Sequence, residues 1–139
     1  MFAALYQQRV FLEGTLLKPN MVLSGRECNV QAGTEEIAKA TTRCFLRTVP
    51  AALPGIVFLS GGQSAQQATQ NLNTMNALGT FPWELSFSYG RALQAPVLGA
   101  WNGQAKNTEA AQTAFYHRAK CNSTARSGSY TDQLETVMA

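Results

Sequence analysis

Ile56-Val57-Phe58-Leu59-Ser60-Gly61-Gly62-Gln63-Ser64 is the stretch on which the fold turns. Four apolar residues in a row, without alternation, suit a strand covered on both faces, as in parallel sheets. Pro54-Gly55 punctuates the run before it begins, and Ser60-Gly61-Gly62 ends it. Ser64 followed three residues later by Gln67 forms a capping-box pattern, and Ala68, Leu72 and Met75 then share one helical face to about Leu78. Strand, glycine turn and capped helix make one βα unit.

The same punctuation recurs on either side. Upstream, strand-forming residues from Val10 to Leu17 run into Lys18-Pro19, where proline cannot continue a central strand. A loop of Asn, Ser, Gly and Gln follows from Asn20 to Gly33. Thr34 is then the expected N-cap of a helix that ends before Pro50. Glu35, Glu36 and Arg47 complement its dipole, and Ile37, Ala40, Cys44 and Phe45 lie on its expected apolar face, to which Thr41 can turn its methyl. Downstream, Trp83 to Tyr89 reads as a third strand closed by Gly90-Arg91. The sequence then predicts a short helix over Ala92 to Trp101 interrupted by Pro96. A last long helix follows, capped by Asn107 or Thr108, with Ala111, Ala114 and Phe115 buried. From about residue 128 the tail is expected to be irregular, and residues 2 to 8 read as the end of an earlier helix.

Alternation of this kind implies a parallel α/β sheet with right-handed crossovers. Three units are too few to close a (β/α)8 barrel, which runs to about 250 residues. The chain of 139 residues therefore reads either as a small open sheet or as the last part of something larger.

Composition narrows the function. The net charge of +3 is mild and dispersed, so nucleic acid is not an expected partner; Lys106, Arg118, Lys120 and Arg126 read as solvated. There is no apolar run of the ~20 residues a membrane span needs, and the first residues lack a secretory signal pattern. Cys28, Cys44 and Cys121 are widely spaced, which fits reduced thiols in a cytoplasmic protein better than disulfides. His117 is the single histidine and reads as a surface helix residue, so no metal site is expected.

In parallel α/β folds the active residues gather at the C-terminal ends of the strands. Lys18 sits at the first such mouth. An ammonium there needs a charge partner, a depressed pKa or a role as nucleophilic amine, unless it merely snorkels into solvent. Ser60-Gly61-Gly62 follows the second strand, where glycines admit a ligand close to the backbone and free N–H groups favour an anion. Ser88-Tyr89-Gly90-Arg91 follows the third and sets a guanidinium beside a glycine turn. An amine beside such a cradle suggests carbonyl chemistry on a sugar phosphate. The amine condenses with a ketone, loses water, and the resulting iminium accepts the electrons of a breaking C–C bond.

Leu12-Glu13-Gly14-Thr15-Leu16-Leu17-Lys18-Pro19-Asn20-Met21-Val22, Phe58-Leu59-Ser60-Gly61-Gly62-Gln63-Ser64 and Phe87-Ser88-Tyr89-Gly90-Arg91-Ala92-Leu93-Gln94 closely resemble the class I fructose-bisphosphate aldolases. Arg47-Thr48-Val49-Pro50 and Asn71-Leu72-Asn73 fit as well, and the resemblance runs from residue 1 to about Thr131. It implies part of a TIM (β/α)8 barrel, strands six to eight with their helices and the C-terminal helix, all within a single barrel domain. Lys18 would form the Schiff base, and Ser60, Gly61, Gly62, Ser88, Gly90 and Arg91 would bind the substrate phosphate. The implied reaction is the reversible, metal-free and cofactor-free cleavage of fructose 1,6-bisphosphate to dihydroxyacetone phosphate and glyceraldehyde 3-phosphate in glycolysis, by a homotetramer. The acid/base carboxylates of the family lie on earlier strands, and Glu13, Glu35 and Glu36 do not match them. The family's terminal tyrosine also has no counterpart in Val137-Met138-Ala139. The other reading is a catalytically incompetent aldolase fragment that keeps the phosphate loops or serves as an interaction module.

Overall fold

In a computed structural model, residues 1–136 are described. Helix α1 (Phe2–Gln7) precedes β1 (Leu16–Leu17); α2 (Thr34–Thr48) leads to β2 (Gly55–Phe58), α3 (Ala65–Ala77) and β3 (Glu84–Phe87). Helices α4 (Arg91–Trp101), α5 (Thr108–Arg126) and α6 (Gln133–Thr136) complete the order. The three strands pair in parallel in the order β1-β2-β3, with Leu16 opposite Gly55 and Gly55 opposite Glu84.

The pleat sends alternate residues to opposite faces. Ile56, Phe58, Leu85 and Tyr89 point into the helical layer, where Phe58 stacks on Phe45 of α2 at 5.8 Å and the Tyr89 hydroxyl donates to the Ala68 carbonyl of α3 at 2.8 Å. On the other face Leu16 stays 58% exposed, Glu84 is exposed, and Val57 and Ser86 are half-buried. Helices thus cover one face of the sheet, and β1 and β3 are both edge strands among the described residues.

The capping box of α3 forms as expected: Gln67 N–H donates to Ser64 Oγ and Ser64 N–H to Gln67 Oε1, each at 3.1 Å. Several expectations need correction. Strand β1 is two residues long rather than Val10 to Leu17, because Leu12–Gly14 coils into a 3-10 turn. Gly14 there lies under the Phe11 ring, where a Cβ would come within 2.8 Å of Phe11 Cδ1. Gly33, not Thr34, is the N-cap of α2. Its buried face is Ile37, Ala38, Thr41, Thr42 and Phe45, whereas Cys44 is exposed. The two threonines are buried because each hydroxyl is used: Thr41 accepts from Val22 N–H at 2.9 Å and Thr42 donates to the Ala38 carbonyl at 2.8 Å. Helix α4 runs through Pro96 without interruption. Phe115 is 46% exposed, and Arg118, expected in solvent, is 3% exposed. The tail is packed rather than free: Tyr130 is buried with its N–H on Asn73 Oδ1 at 2.9 Å, and α6 follows. Val137-Met138-Ala139 lies outside the described residues.

Candidate functional site

Parallel pairing sets the three loops with expected chemistry side by side along the C-terminal edge of the sheet. Two backbone bonds extend the ladder beyond the strands into these loops: Leu59 N–H donates to the Pro19 carbonyl at 3.0 Å, and Ser88 N–H to the Phe58 carbonyl at 2.8 Å. The loop bearing Lys18 is thereby tied to the one bearing Ser60, and that one to the loop bearing Ser88 and Arg91.

Lys18 lies one residue beyond β1 and is exposed, bordering an open apolar groove with Phe2, Leu17, Thr48 and Val49. The desolvation expected of a lysine at a buried strand mouth is therefore not supplied by the described residues. Glu35, Glu84 and Glu135 pair with Lys39, Arg126 and Arg118, and neither Lys18 nor Arg91 has an ion pair among the described residues.

The turn after β2 has the geometry its glycines predict. Gly61 and Gly62 take positive φ of 58° and 86°, which residues with a Cβ rarely adopt. Their backbone N–H groups have no protein acceptor among the described residues, and they stand just before the start of α3, where the helix dipole favours negative charge. Ser60 is buried and its carbonyl accepts from both Gln63 N–H and Gln63 Nε2 at 3.0 Å, which closes the turn. After β3, Ser88 is half-buried, Gly90 is the N-cap of α4 and Arg91 is its first residue, exposed. The first N–H groups of that helix have no intrahelical partner either. The sheet brings Ser60, Gly61 and Gly62 beside Ser88, Gly90 and Arg91 on neighbouring strands, while Lys18 and Arg91 stand on opposite sides of β2. Two strand spacings, ~9–10 Å, separate their backbones there.

Two neighbours of the glycine turn escape sequence reasoning. A Cβ at Gly61 would come within 2.2 Å of Asn20 Oδ1, so the amide of Asn20 fills the space the glycine leaves. A Cβ at Gly62 would lie 3.2 Å from an Arg26 guanidinium nitrogen, which brings a positive charge to the turn. Both line a cleft of about 520 Å³ together with Gly61, Gly62, Gln63 and Asn71. The signal for Asn20 was its place next to Lys18-Pro19; Arg26 has none in the loop composition. The structure also gathers His117, Cys121 and Glu135 at the α5–α6 contact, their ligand atoms all within 4.8 Å. His117 is thus half-buried rather than a surface residue. Its i, i+4 spacing from Cys121 was visible in the sequence, but Glu135 was not placed.

The family described as glycolytic fructose-bisphosphate aldolase class-I matches residues 1–139. The fructose-bisphosphate aldolase of Dictyostelium discoideum is 55% identical over 99% of this chain and 39% of its own length. Fructose-bisphosphate aldolase B of Gallus gallus is 53% identical, over 99% of this chain and 38% of its own. A solved structure of the Plasmodium falciparum aldolase, a ternary co-crystal with TRAP and a small-molecule inhibitor, superposes with a TM-score of 0.92 at 53% identity, covering 94% of this chain and 38% of that one. This chain spans well under half the length of these relatives. With its parallel α/β architecture and the glycine turn at the start of α3, the chain belongs to the class-I fructose-bisphosphate aldolase family.

Proposed function

We propose that this chain forms strands six to eight of a (β/α)8 barrel and carries the Schiff-base lysine and phosphate cradle of a class I fructose-bisphosphate aldolase. The observation that carries the reading is the row of three tied mouths, with an exposed amine on one and unpaired backbone N–H groups on the next. The one-sided helical cover of the sheet supports a barrel whose remaining strands would close over the open face. In the proposed reaction the neutral Lys18 amine attacks the ketone carbon of fructose 1,6-bisphosphate and water leaves. The bond between C3 and C4 then breaks toward the positive nitrogen as a base takes the C4 hydroxyl proton, releasing glyceraldehyde 3-phosphate and leaving an enamine on Lys18. Protonation of that enamine at C3 restores an iminium, and its hydrolysis returns the amine and dihydroxyacetone phosphate. Ser60, Gly61, Gly62, Ser88, Gly90 and Arg91 hold the phosphate next to the ketone, with Arg26 adding positive charge beside Gly62. The desolvation and the proton-transfer carboxylates come from residues outside this chain, in the homotetrameric cytoplasmic enzyme.

The second reading, a fragment that binds but does not turn over, is favoured by one observation: no carboxylate pairs with Lys18 among the described residues. Borohydride reduction in the presence of dihydroxyacetone phosphate separates the two. The expected product is a covalent adduct on Lys18, lost in Lys18→Met. An adduct with no cleavage of fructose 1,6-bisphosphate by the same preparation supports the fragment reading. Absence of adduct at saturating ligand overturns the Schiff-base assignment.

A further inference from the structure

We propose that His117, Cys121 and Glu135 form a binding site for one zinc-class divalent ion that fastens α6 to α5. His117 and Cys121 stand one helical turn apart on α5, so both side chains leave the same face. The two ligand atoms, His117 Nε2 and Cys121 Sγ, are 3.8 Å apart, and Glu135 Oε2 lies 3.6 Å from the same imidazole nitrogen. Tetrahedral zinc with its usual bond lengths sets such nitrogen–sulfur and nitrogen–oxygen pairs ~3.4–3.6 Å apart. Those two edges of the polyhedron are therefore within a few tenths of an ångström of what the ion requires. The sulfur–carboxylate edge, inside 4.8 Å, closes by side-chain rotation.

The donor set of imidazole, thiolate and carboxylate suits zinc and its cobalt surrogate and leaves a fourth position for water. The carboxylate is also held as metal-bound carboxylates are held. Arg118 donates to Glu135 Oε2 and the Tyr130 hydroxyl donates to Oε1 at 2.6 Å, fixing the group while each oxygen keeps a lone pair for the ion. Arg118 has a second anchor in Thr69 Oγ1 at 2.7 Å, so it need not follow the carboxylate if that moves. The site is half-buried at His117 and Glu135 and buried at Cys121, which leaves a path from solvent. On binding, the Cys121 thiol proton departs to solvent as the sulfur–metal bond forms, His117 binds through neutral Nε2, and Glu135 is already ionised. One proton is released per ion and no electron moves.

The test is a cobalt(II) titration of the reduced 139-residue chain carrying Cys28→Ser and Cys44→Ser, both at exposed positions. One equivalent should bind with a thiolate-to-cobalt charge-transfer band that Cys121→Ser abolishes and zinc displaces. His117→Gln should weaken cobalt affinity at least ~10-fold, as loss of one ligand or its support does. Far-UV circular dichroism is recorded for each variant, and His117→Gln supplies the affinity comparison if Cys121→Ser does not fold. No charge-transfer band, a band that survives Cys121→Ser, or an affinity unchanged by His117→Gln would each overturn the proposal. Aldol cleavage is not the readout, so the result stands apart from the role of Lys18.

Discussion

Gly61→Ala should cost more than Gly62→Ala, although both glycines have positive φ. Placing a residue with a Cβ in the left-handed region costs about 1–2 kcal/mol at either position. At Gly62 the nearest atom is the far end of the Arg26 side chain at 3.2 Å, which can swing aside. At Gly61 the new methyl would sit 2.2 Å from Asn20 Oδ1 and 2.8 Å from its Cγ, so the whole amide must leave. It would then give up its 3.0 Å bond from Met21 N–H, worth about 1 kcal/mol. The expected losses are ~2–3 kcal/mol for Gly61→Ala and ~1–2 kcal/mol for Gly62→Ala. In an Asn20→Ala background the clash and the bond are already gone, so Gly61→Ala should cost only its backbone share, a coupling of about 1 kcal/mol. Urea unfolding of the four proteins of that cycle and of Gly62→Ala, followed by circular dichroism and tryptophan fluorescence, gives each value. Equal costs at the two glycines, or additivity with Asn20→Ala, would show that the amide does not occupy the space next to Gly61.

Two further outcomes follow from the core and the tail. Burial alone would raise the Glu135 carboxyl, but bonds from Arg118 and Tyr130 hold it below the ordinary carboxylate range. A depressed folded pKa contributes stability above the unfolded value, ~4.3 for glutamate, and loses it as pH falls through the folded value. Unfolding free energy should therefore decline from about pH 5 downward. Arg118→Met should flatten that slope while costing ~3–5 kcal/mol at pH 7, since it leaves the carboxylate without its buried partner; a slope that survives the substitution would assign it elsewhere. Phe58→Ala, at a fully buried position stacked on Phe45, should cost ~3–5 kcal/mol in the same urea assay. A loss below 1 kcal/mol would mean that the layer between sheet and helices repacks around the cavity.

The parts of the fold that sequence conveys are those encoded locally. Ser64 and Gln67 announce the start of α3, and the glycines at 61 and 62 are where the chain needs positive φ. What escapes depends on partners far along the chain. Val10 and Phe11 have strand-like character, yet Phe11 covers Gly14 and the chain coils, leaving β1 only Leu16 and Leu17 to pair. Arg118 and His117 look like solvent residues of a polar helix until Glu135, 17 residues beyond Arg118, is placed against them. On α2 the place of Thr41 on the buried face was legible, but Cys44, expected beside it, is exposed, and Thr42 is buried instead with its hydroxyl on the Ala38 carbonyl. The candidate site divides the same way. Its residue types were legible at each strand mouth, whereas Asn20 and Arg26 against the glycine turn depend on how the loop from residue 20 to 33 folds back.

The two backbone bonds that carry the ladder past the strand ends have a consequence for how errors spread. Pro19 is referenced to Leu59 and Ser88 to Phe58, so both outer loops take their position from the central strand and neither from the other. β2 is in effect the datum of the assembly. A substitution that displaces β3 should misplace only the loop bearing Ser88, Gly90 and Arg91, whereas one that shifts β2 by a fraction of an ångström should detune amine, glycine turn and guanidinium together. Under the proposed function, variation in how the three loops meet a substrate is therefore more accessible through the flanking strands than through the one between them.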